Sequence, residues 1–185
     1  MTRRRARKVM DEKTYKPLYT AAQRERRDAT PWTTVQGILA PAQFLVCIVS
    51  AVLILRFLWT GEGYGAATVS ILIKTMFLYL IMVTGAIWEK EVFGQYLFAP
   101  AFFWEDVVSF GVIALHTLYL WGLFTGTISP DSLMWLALAA YAAYVVNAVQ
   151  FLFKLRAARL QAQAEPHAVP GLGSASRTTT PEARA

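Results

Sequence analysis

Cysteine and histidine are scarce in this sequence, and their scarcity excludes several kinds of site. Cys47 is the single cysteine, so the chain can form neither an intramolecular disulfide nor a cysteine-based zinc site. Of the two histidines, His167 lies in a polar C-terminal segment, and we assign it no role. His116 is the other, and a lone histidine argues against a four-helix haem protein that ligates each haem through two histidines.

Several sequence motifs are also missing. There is no phosphate-binding loop, nucleophile elbow or HExxH motif. The first apolar segment contains no acidic residue, which a small multidrug-type exporter would usually carry there. We predict no cleavable signal peptide, because the basic start extends as far as Arg27 before any apolar core begins.

Apolar residues are abundant instead, at 56% of the chain, against about 45–50% in soluble domains. They concentrate in four stretches that each approach the roughly 20 residues needed for a helix to cross a bilayer. None of the stretches alternates with the period of a strand. The sequence therefore predicts an all-α fold, an integral membrane four-helix bundle with helices near Gly37–Trp59, Ala66–Trp88, Ala101–Thr125 and Leu133–Phe153.

The positive charges predict the orientation of the bundle. Ten Lys or Arg residues precede Pro31, and three more closely follow the last apolar stretch, whereas residues 60–65 and 126–132 contain none. By the positive-inside rule, both termini are cytoplasmic. The net charge of +6 is thus explained by topology and by anionic lipid headgroups, and we predict no nucleic-acid partner.

We divide the chain into three parts. Residues 1–30 are a basic cytoplasmic arm, disordered at first, with a short juxtamembrane helix over Ala21–Arg27 that Thr20 caps. Residues 31–160 form the transmembrane domain, which starts with Thr30 as N-cap and Pro31 in the first turn. Residues 161–185 are a disordered cytoplasmic tail, because their composition cannot bury a core.

Acidic residues cluster where cytoplasmic loops usually carry Lys and Arg. Glu89, Glu91, Glu105 and Asp106 are four of the twelve acids in the chain. One interpretation is a carboxylate cluster at the cytoplasmic mouth of the bundle, suited to general acid catalysis. The other is a solvated loop and a helix N-terminus that favours anions. For Glu91 we favour the second interpretation; for the other three residues both stay open.

The same region is rich in aromatic residues. A membrane-interface belt accounts well for Trp and Tyr, but less well for a run of Phe. Aromatic rings would also hold a flat hydrophobic ligand. The residues concerned are Phe93, Tyr96, Phe98, Phe102, Phe103 and Trp104.

Ionisable and amide side chains also occur inside the predicted helices. His116 follows Glu105 by about three helical turns, so both residues share one face, about 16 Å apart along the axis. It would ligate a metal, relay a proton or join two helices. Lys74 lies at a similar depth and either pairs with His116 or snorkels outward.

Four amides lie in the cytoplasmic half of the predicted bundle. Asn147 and Gln150 are neighbours on one helix face, and Gln36 and Gln43 align on another helix. They form either a shared polar cluster or hydrogen-bonded glue between helices.

The string WEKEVFGQYLFAPAFFWEDV, together with LYTAAQRERRDATPWTTVQGILAPAQFLV and VIALHTLYLWGLFTG, resembles the 2-vinyl bacteriochlorophyllide hydratase family of photosynthetic bacteria. The likeness runs from Leu18 to Leu160. It implies a hydro-lyase of bacteriochlorophyll biosynthesis that adds water across the C3-vinyl group of chlorophyllide a or 3-vinyl bacteriochlorophyllide. The product would be the 3-(1-hydroxyethyl) pigment.

The resemblance also implies expectations about surroundings. No protein-bound cofactor is expected, because hydration needs no redox cofactor and no nucleotide-binding motif is present. The only metal expected is the magnesium that the substrate itself carries. The expected location is the inner membrane or the intracytoplasmic photosynthetic membrane. Membrane lipid and other pigment-biosynthesis enzymes are the expected partners besides the pigment.

The resemblance brings no catalytic residues, so the roles are our hypotheses. Glu105 or Glu89 protonates the vinyl group, and Asp106 orients or deprotonates water. His116 is an axial ligand to the magnesium of the substrate. The residues predicted to bind the pigment are Phe102, Phe103, Trp104, Trp88, Asn147 and Gln43.

Two alternatives to an enzyme remain open. A non-catalytic pigment-binding or carrier protein would need the aromatic residues and His116 but not the acids. A small proton-coupled transporter would use Glu105 and His116.

Overall fold

The computed structural model describes residues 18–164, and this part of the chain contains five α-helices and no strand. The predicted disorder of residues 1–17 and of most of the tail lies outside the described residues. The last helix extends a few residues past Leu160, into the segment that was predicted to be disordered. The helices are α1 (Ala21–Ala29), α2 (Pro31–Thr60), α3 (Tyr64–Phe93), α4 (Phe103–Thr125) and α5 (Pro130–Ala164).

The start of α1 and the junction with α2 follow the predicted capping. The Thr20 hydroxyl accepts a hydrogen bond from the Gln23 N–H at 3.2 Å, and the Gln23 side chain accepts one from the Thr20 N–H at 2.8 Å. This reciprocal pair is a capping box. Thr30 then caps α2 and Pro31 occupies the first turn, so both predicted helix starts are confirmed.

Helices α2 to α5 are each long and apolar enough to cross a membrane. The four predicted membrane helices are thereby confirmed by length and composition. Three of them are longer than the apolar stretches from which they were predicted, because polar and charged turns continue the helices past the apolar core. Helix α2 continues through Pro41.

The helices pack mainly as two antiparallel hairpins, α2 with α3 and α4 with α5. Gly61 (φ 73°) and Gly63 (φ 87°) make the first hairpin turn, where a left-handed backbone favours glycine. One apolar core, which includes Ile54, Ile71 and Met134, fills the end of the bundle near this turn. Buried acids and amides lie toward the other end, where the candidate site is found.

Candidate functional site

Three carboxyl groups meet at one end of the bundle, which agrees with the first of the two interpretations that the sequence left open. Glu89 lies near the end of α3, while Glu105 and Asp106 lie in the first turn of α4. All three are buried, with 5%, 7% and 3% of their surface exposed respectively. The connection between the two helices therefore folds the acids into the protein interior instead of leaving them in solvent.

The backbone of this connection holds two of the carboxyl groups. The Phe98 N–H donates to Asp106 Oδ2 at 2.7 Å, and the next amide, Ala99 N–H, donates to Glu89 Oε2 at 3.2 Å. Phe98 has a φ of 59°, the one positive value for a non-glycine residue in the described chain. Such a conformation costs on the order of 1–3 kcal/mol and often occurs at functional sites. Here the strained turn directs two successive donors at two acids.

The three acids have different partners. The side chains of Glu89 and Asp106 are hydrogen-bonded to each other. Glu105 instead forms an ion pair with Lys154 of α5, with Oε2 and Nζ 2.5 Å apart. A hydrogen bond between two carboxyl groups requires a proton on one of them. The site thus combines two neighbouring carboxyl groups, placed so that they can share a proton, with a third, ion-paired carboxylate.

Glu91 lies apart from this cluster. It is exposed, accepts a hydrogen bond from the Thr30 hydroxyl and accepts another from Trp32 Nε1 at 3.1 Å. Both partners belong to the start of α2, so Glu91 ties α3 to the junction between α1 and α2. A shallow, open depression of about 380 Å³ lies at this junction, lined by Arg26, Ala29, Thr30, Pro31 and Glu91.

An inner group of aromatic rings packs beside the acids. Phe102 is at its centre: its ring lies 5.7 Å from those of Trp88 and Phe151 and 5.8 Å from that of Phe93. Lys154 Nζ lies 5.2 Å from the Phe102 ring, which links this group to Glu105. We call Tyr19, Trp88, Phe93, Phe102 and Phe151 the inner aromatic cluster.

The predicted trio of Phe102, Phe103 and Trp104 is divided between the inside and the outside of the bundle. Phe103 and Trp104 are exposed, by 44% and 69%. The Phe103 ring contacts Trp104 at 5.4 Å and Phe98 at 5.7 Å. Consecutive residues of a helix point in different directions, so one run of sequence supplies both the inner cluster and an outward aromatic face.

Tyr19 is a member of the inner cluster that the sequence analysis did not single out. Its ring stacks on Phe93 at 5.7 Å, and the Arg27 guanidinium lies over it at 5.0 Å. Burial raises the pKa of Tyr19 to about 12. Because it precedes a helix start in a polar segment, nothing in its sequence context marks it as buried.

His116 and Lys74 form the predicted pair. Lys74 Nζ lies 3.2 Å from His116 Nε2, and His116 Nδ1 contacts the Val112 carbonyl oxygen at 2.8 Å. Lys74 is 0% exposed, so of the two alternatives that the sequence left open the structure shows the pair with His116 and not the snorkelling side chain. Both histidine nitrogens therefore have partners inside the protein, and ligation of the substrate's magnesium by His116 stays a prediction.

Two tyrosines of α5, which the sequence analysis did not single out, pack against His116 and Lys74. Tyr141 stacks on His116 at 5.9 Å and shares a hydrogen bond of 2.6 Å with the Ser50 hydroxyl. Lys74 Nζ lies 4.1 Å from the centre of the Tyr144 ring. Both tyrosines appear in the sequence as parts of an apolar helix, and their hydroxyl groups give no positional signal.

The predicted amides form separate contacts between helices rather than a single cluster. Asn147 Nδ2 donates to the Ser109 hydroxyl at 2.7 Å, and Gln36 Nε2 donates to that of Thr84 at 2.7 Å. Gln43 is 1% exposed, and neither its amide oxygen nor its nitrogen has a hydrogen-bond partner. The Asn147 side-chain oxygen is likewise unpartnered. Buried polar atoms of this kind favour a polar ligand or water as partner.

Metal-binding side chains are not grouped in the described residues. No three His, Cys, Asp or Glu residues between 18 and 164 are arranged to hold a metal ion.

Comparison with known proteins gives close relatives along most of the chain. A model of the 2-vinyl bacteriochlorophyllide hydratase family matches residues 19–157. A protein of that name from Rhodobacter capsulatus is 74% identical over 151 residues, covering 81% of this chain and 87% of the relative. Another, from Cereibacter sphaeroides, is 72% identical over 151 residues, covering 81% and 93%. No solved structure matches.

Proposed function

The chain belongs to the 2-vinyl bacteriochlorophyllide hydratase family, and we propose that it hydrates the pigment's vinyl group at the hydrogen-bonded carboxyl pair of Glu89 and Asp106. It is a hydro-lyase of bacteriochlorophyll biosynthesis. The observation that carries the assignment of the site is this pair, since two buried carboxyl groups that share one proton supply both a donor and an acceptor. The carrier and transporter alternatives are not favoured, because the named relatives are hydratases.

The proposed reaction begins with proton transfer. The protonated carboxyl of the pair gives its proton to the terminal vinyl carbon, which becomes a methyl group. The adjacent carbon becomes a cation, delocalised into the macrocycle. Water then attacks that carbon, and the carboxylate left on the pair takes one proton from it. The product is the 1-hydroxyethyl pigment, and the pair regains its starting proton.

Glu105, which the sequence offered together with Glu89 as the proton donor, is given a different role. Because Lys154 holds it as an ion pair, Glu105 offers a negative charge that is fixed in position. A fixed carboxylate beside a developing cation stabilises it without rearranging during the reaction. We therefore assign proton donation to Glu89 with Asp106, and charge stabilisation to Glu105.

The pigment is proposed to lie beside this pair. Trp88 and Phe102 offer ring faces from within the bundle, and Phe103 and Trp104 offer an outward aromatic face from which a lipid-soluble pigment would enter. The unpartnered amide atoms of Gln43 and Asn147 would bind its polar substituents or the attacking water. Coordination of the pigment's magnesium by His116 requires Lys74 to release Nε2.

We further propose that both chain ends face the cytoplasm, in the inner or intracytoplasmic photosynthetic membrane. The positive charges at both ends support this orientation. It places the acids at the cytoplasmic boundary, where water is available, and lets lipid and other pigment enzymes contact the basic arm.

Hydration is tested directly with labelled water. Membranes from a host that makes no pigment, with and without the protein, are incubated with chlorophyllide a in ¹⁸O-water. We expect a protein-dependent product that has gained one labelled water. We expect the Glu89→Gln variant to bind the pigment but to form no detectable hydrated product. Glu91→Gln is the matched control, since Glu91 lies outside the carboxyl cluster on the same helix. Normal hydration by Glu89→Gln would remove the pair from the mechanism.

A further inference from the structure

We infer that Lys74, supported by His116, binds a carboxylate of the pigment and so fixes which end of the macrocycle reaches the acids. This inference rests on the proposed function. It assigns a role to a buried residue that the hydration steps do not use.

The surroundings of Lys74 lack a negative charge. Its ammonium group contacts His116 Nε2 and lies over the rings of Tyr144 and Tyr141, at 4.1 and 5.4 Å from their centres. None of the acids between residues 18 and 164 forms an ion pair with it. A fully buried ammonium is costly unless it is paired with an anion. Aromatic faces compensate only part of that cost.

His116 is oriented to support this role. Its Nδ1 contacts the Val112 carbonyl, so Nδ1 carries the hydrogen and Nε2 is left as an acceptor toward Lys74. The imidazole thereby holds the flexible lysine in one position, and within residues 18–164 its other ammonium hydrogens have ring faces beside them rather than a hydrogen-bond acceptor.

A line of polar groups connects this position to the acids. Asn147 of α5 donates a hydrogen bond to Ser109 of α4, and Ser109 lies between Asp106 and His116 in the sequence of α4. Gln43 of α2 is also buried, and neither of its amide atoms has a hydrogen-bond partner. Asp106 and His116 lie on the same helix about 15 Å apart along the axis. That separation is similar to the span of a tetrapyrrole that carries substituents on both sides.

The chemistry of the substrate supplies the missing charge. A chlorophyllide-type pigment has no esterifying alcohol, so it carries a free carboxylate on a flexible side chain. With that carboxylate at Lys74 and the vinyl group at Glu89 and Asp106, the position of the charge would fix which edge of the ring faces the acids. An esterified pigment would leave Lys74 without a partner and bind weakly.

The test compares the binding of chlorophyllide a and of its methyl ester, measured by pigment absorbance on the purified protein in lipid nanodiscs. We expect the wild-type protein to prefer the acid by about tenfold or more, which corresponds to about 1.4 kcal/mol of binding free energy, because the ester cannot form the charge pair with Lys74. Lys74→Met should bind the ester as the wild type does and lose the preference. Lys74→Arg should retain part of it. Lys90→Met is the matched control in α3, because Lys90 is exposed, and it should keep the preference.

Equal affinity of the wild type for acid and ester would overturn the inference, whatever the variants do. A full acid preference in Lys74→Met would also overturn it. If Lys74→Met binds neither compound, Lys74→Gln takes its place, with the same two outcomes. The proposed catalytic pair is tested separately. If that proposal is wrong, the Glu89→Gln variant will hydrate the pigment normally, and the preference for the acid over the ester will be unchanged.

Discussion

Glu89 and Asp106, on two different helices, are hydrogen-bonded to each other, and each also accepts a bond from one of two consecutive backbone amides. The loop between α3 and α4 therefore acts as a clamp for the pair. Phe98, which donates to Asp106, adopts a left-handed backbone to do so. Backbone donors keep their position when protons move, which suits a pair that exchanges a proton in each cycle.

Replacing either member of the pair by its amide should slow hydration strongly. Glu89→Gln and Asp106→Asn keep the shape of the side chain but remove the acid, so we expect kcat to fall by about 10²–10⁴-fold. Pigment binding should change little. Product formation and pigment binding, measured in the same membranes, check this. A fall in binding that matches the fall in kcat would contradict a catalytic role.

The ion pair between Glu105 and Lys154 should affect kcat through the charges of the two residues. Glu105→Gln removes the fixed negative charge beside the cation, and we expect a loss of roughly 10²–10³-fold in kcat, as for other preorganised electrostatic groups. Lys154→Met should also lower activity, because Glu105 is then left without its 2.5 Å partner.

Lys154→Arg is the matched control for this prediction. It preserves the positive charge and should retain more activity than Lys154→Met. Equal activity of the two variants, read from the initial rate of product formation, would show that the charge of residue 154 is unimportant.

The stability that buried Tyr19 contributes should depend on pH in the alkaline range. Burial raises its pKa from 10.0 to about 12, so the folded protein holds the phenol proton more tightly than the unfolded chain. Stability from this group is complete below pH 10 and is lost as the pH rises toward 12. Tyr19→Phe should remove this component. Thermal unfolding between pH 9 and pH 12 in the two proteins checks it, and identical slopes would contradict it.

Gly122 should tolerate no side chain. It is buried, and an added methyl group would meet the Ile128 side chain, with Cγ1 at 2.8 Å. We expect Gly122→Ala to lower the free energy of unfolding by about 1–3 kcal/mol, as for other overpacked sites. Adding Ile128→Ala should restore part of the loss. A thermal melt of the single and double variants measures the coupling, and simple additivity would exclude the clash.

The sequence could not separate the roles of the acids. It placed Glu89, Glu105 and Asp106 at one end of the bundle, because helix ends follow from where the apolar stretches stop. It gave Glu105 and Glu89 equal claims as the proton donor. Only the fold shows that Lys154, counted in the sequence as a topology residue, reaches Glu105.

The sequence also could not show which of the aromatic and basic side chains face the interior of the bundle. Phe102, Phe103 and Trp104 are adjacent, and the rotation of the helix sends one inward and two outward. Lys74 was equally compatible with the interior and with the surface, since a long side chain can reach either. Its contact with His116 depends on how α3 and α4 pack.

By itself, the sequence determined the four apolar helices, the capped start of α1 and α2, and, through its long shared strings, the family. These follow from hydropathy, capping chemistry and similarity, each of which acts within one stretch of chain. Tertiary structure alone decided which carboxyl groups contact each other, which one is ion-paired, and that Lys74 lies enclosed beside His116 and two tyrosines. Those relationships depend on distances between different helices, which no single segment encodes.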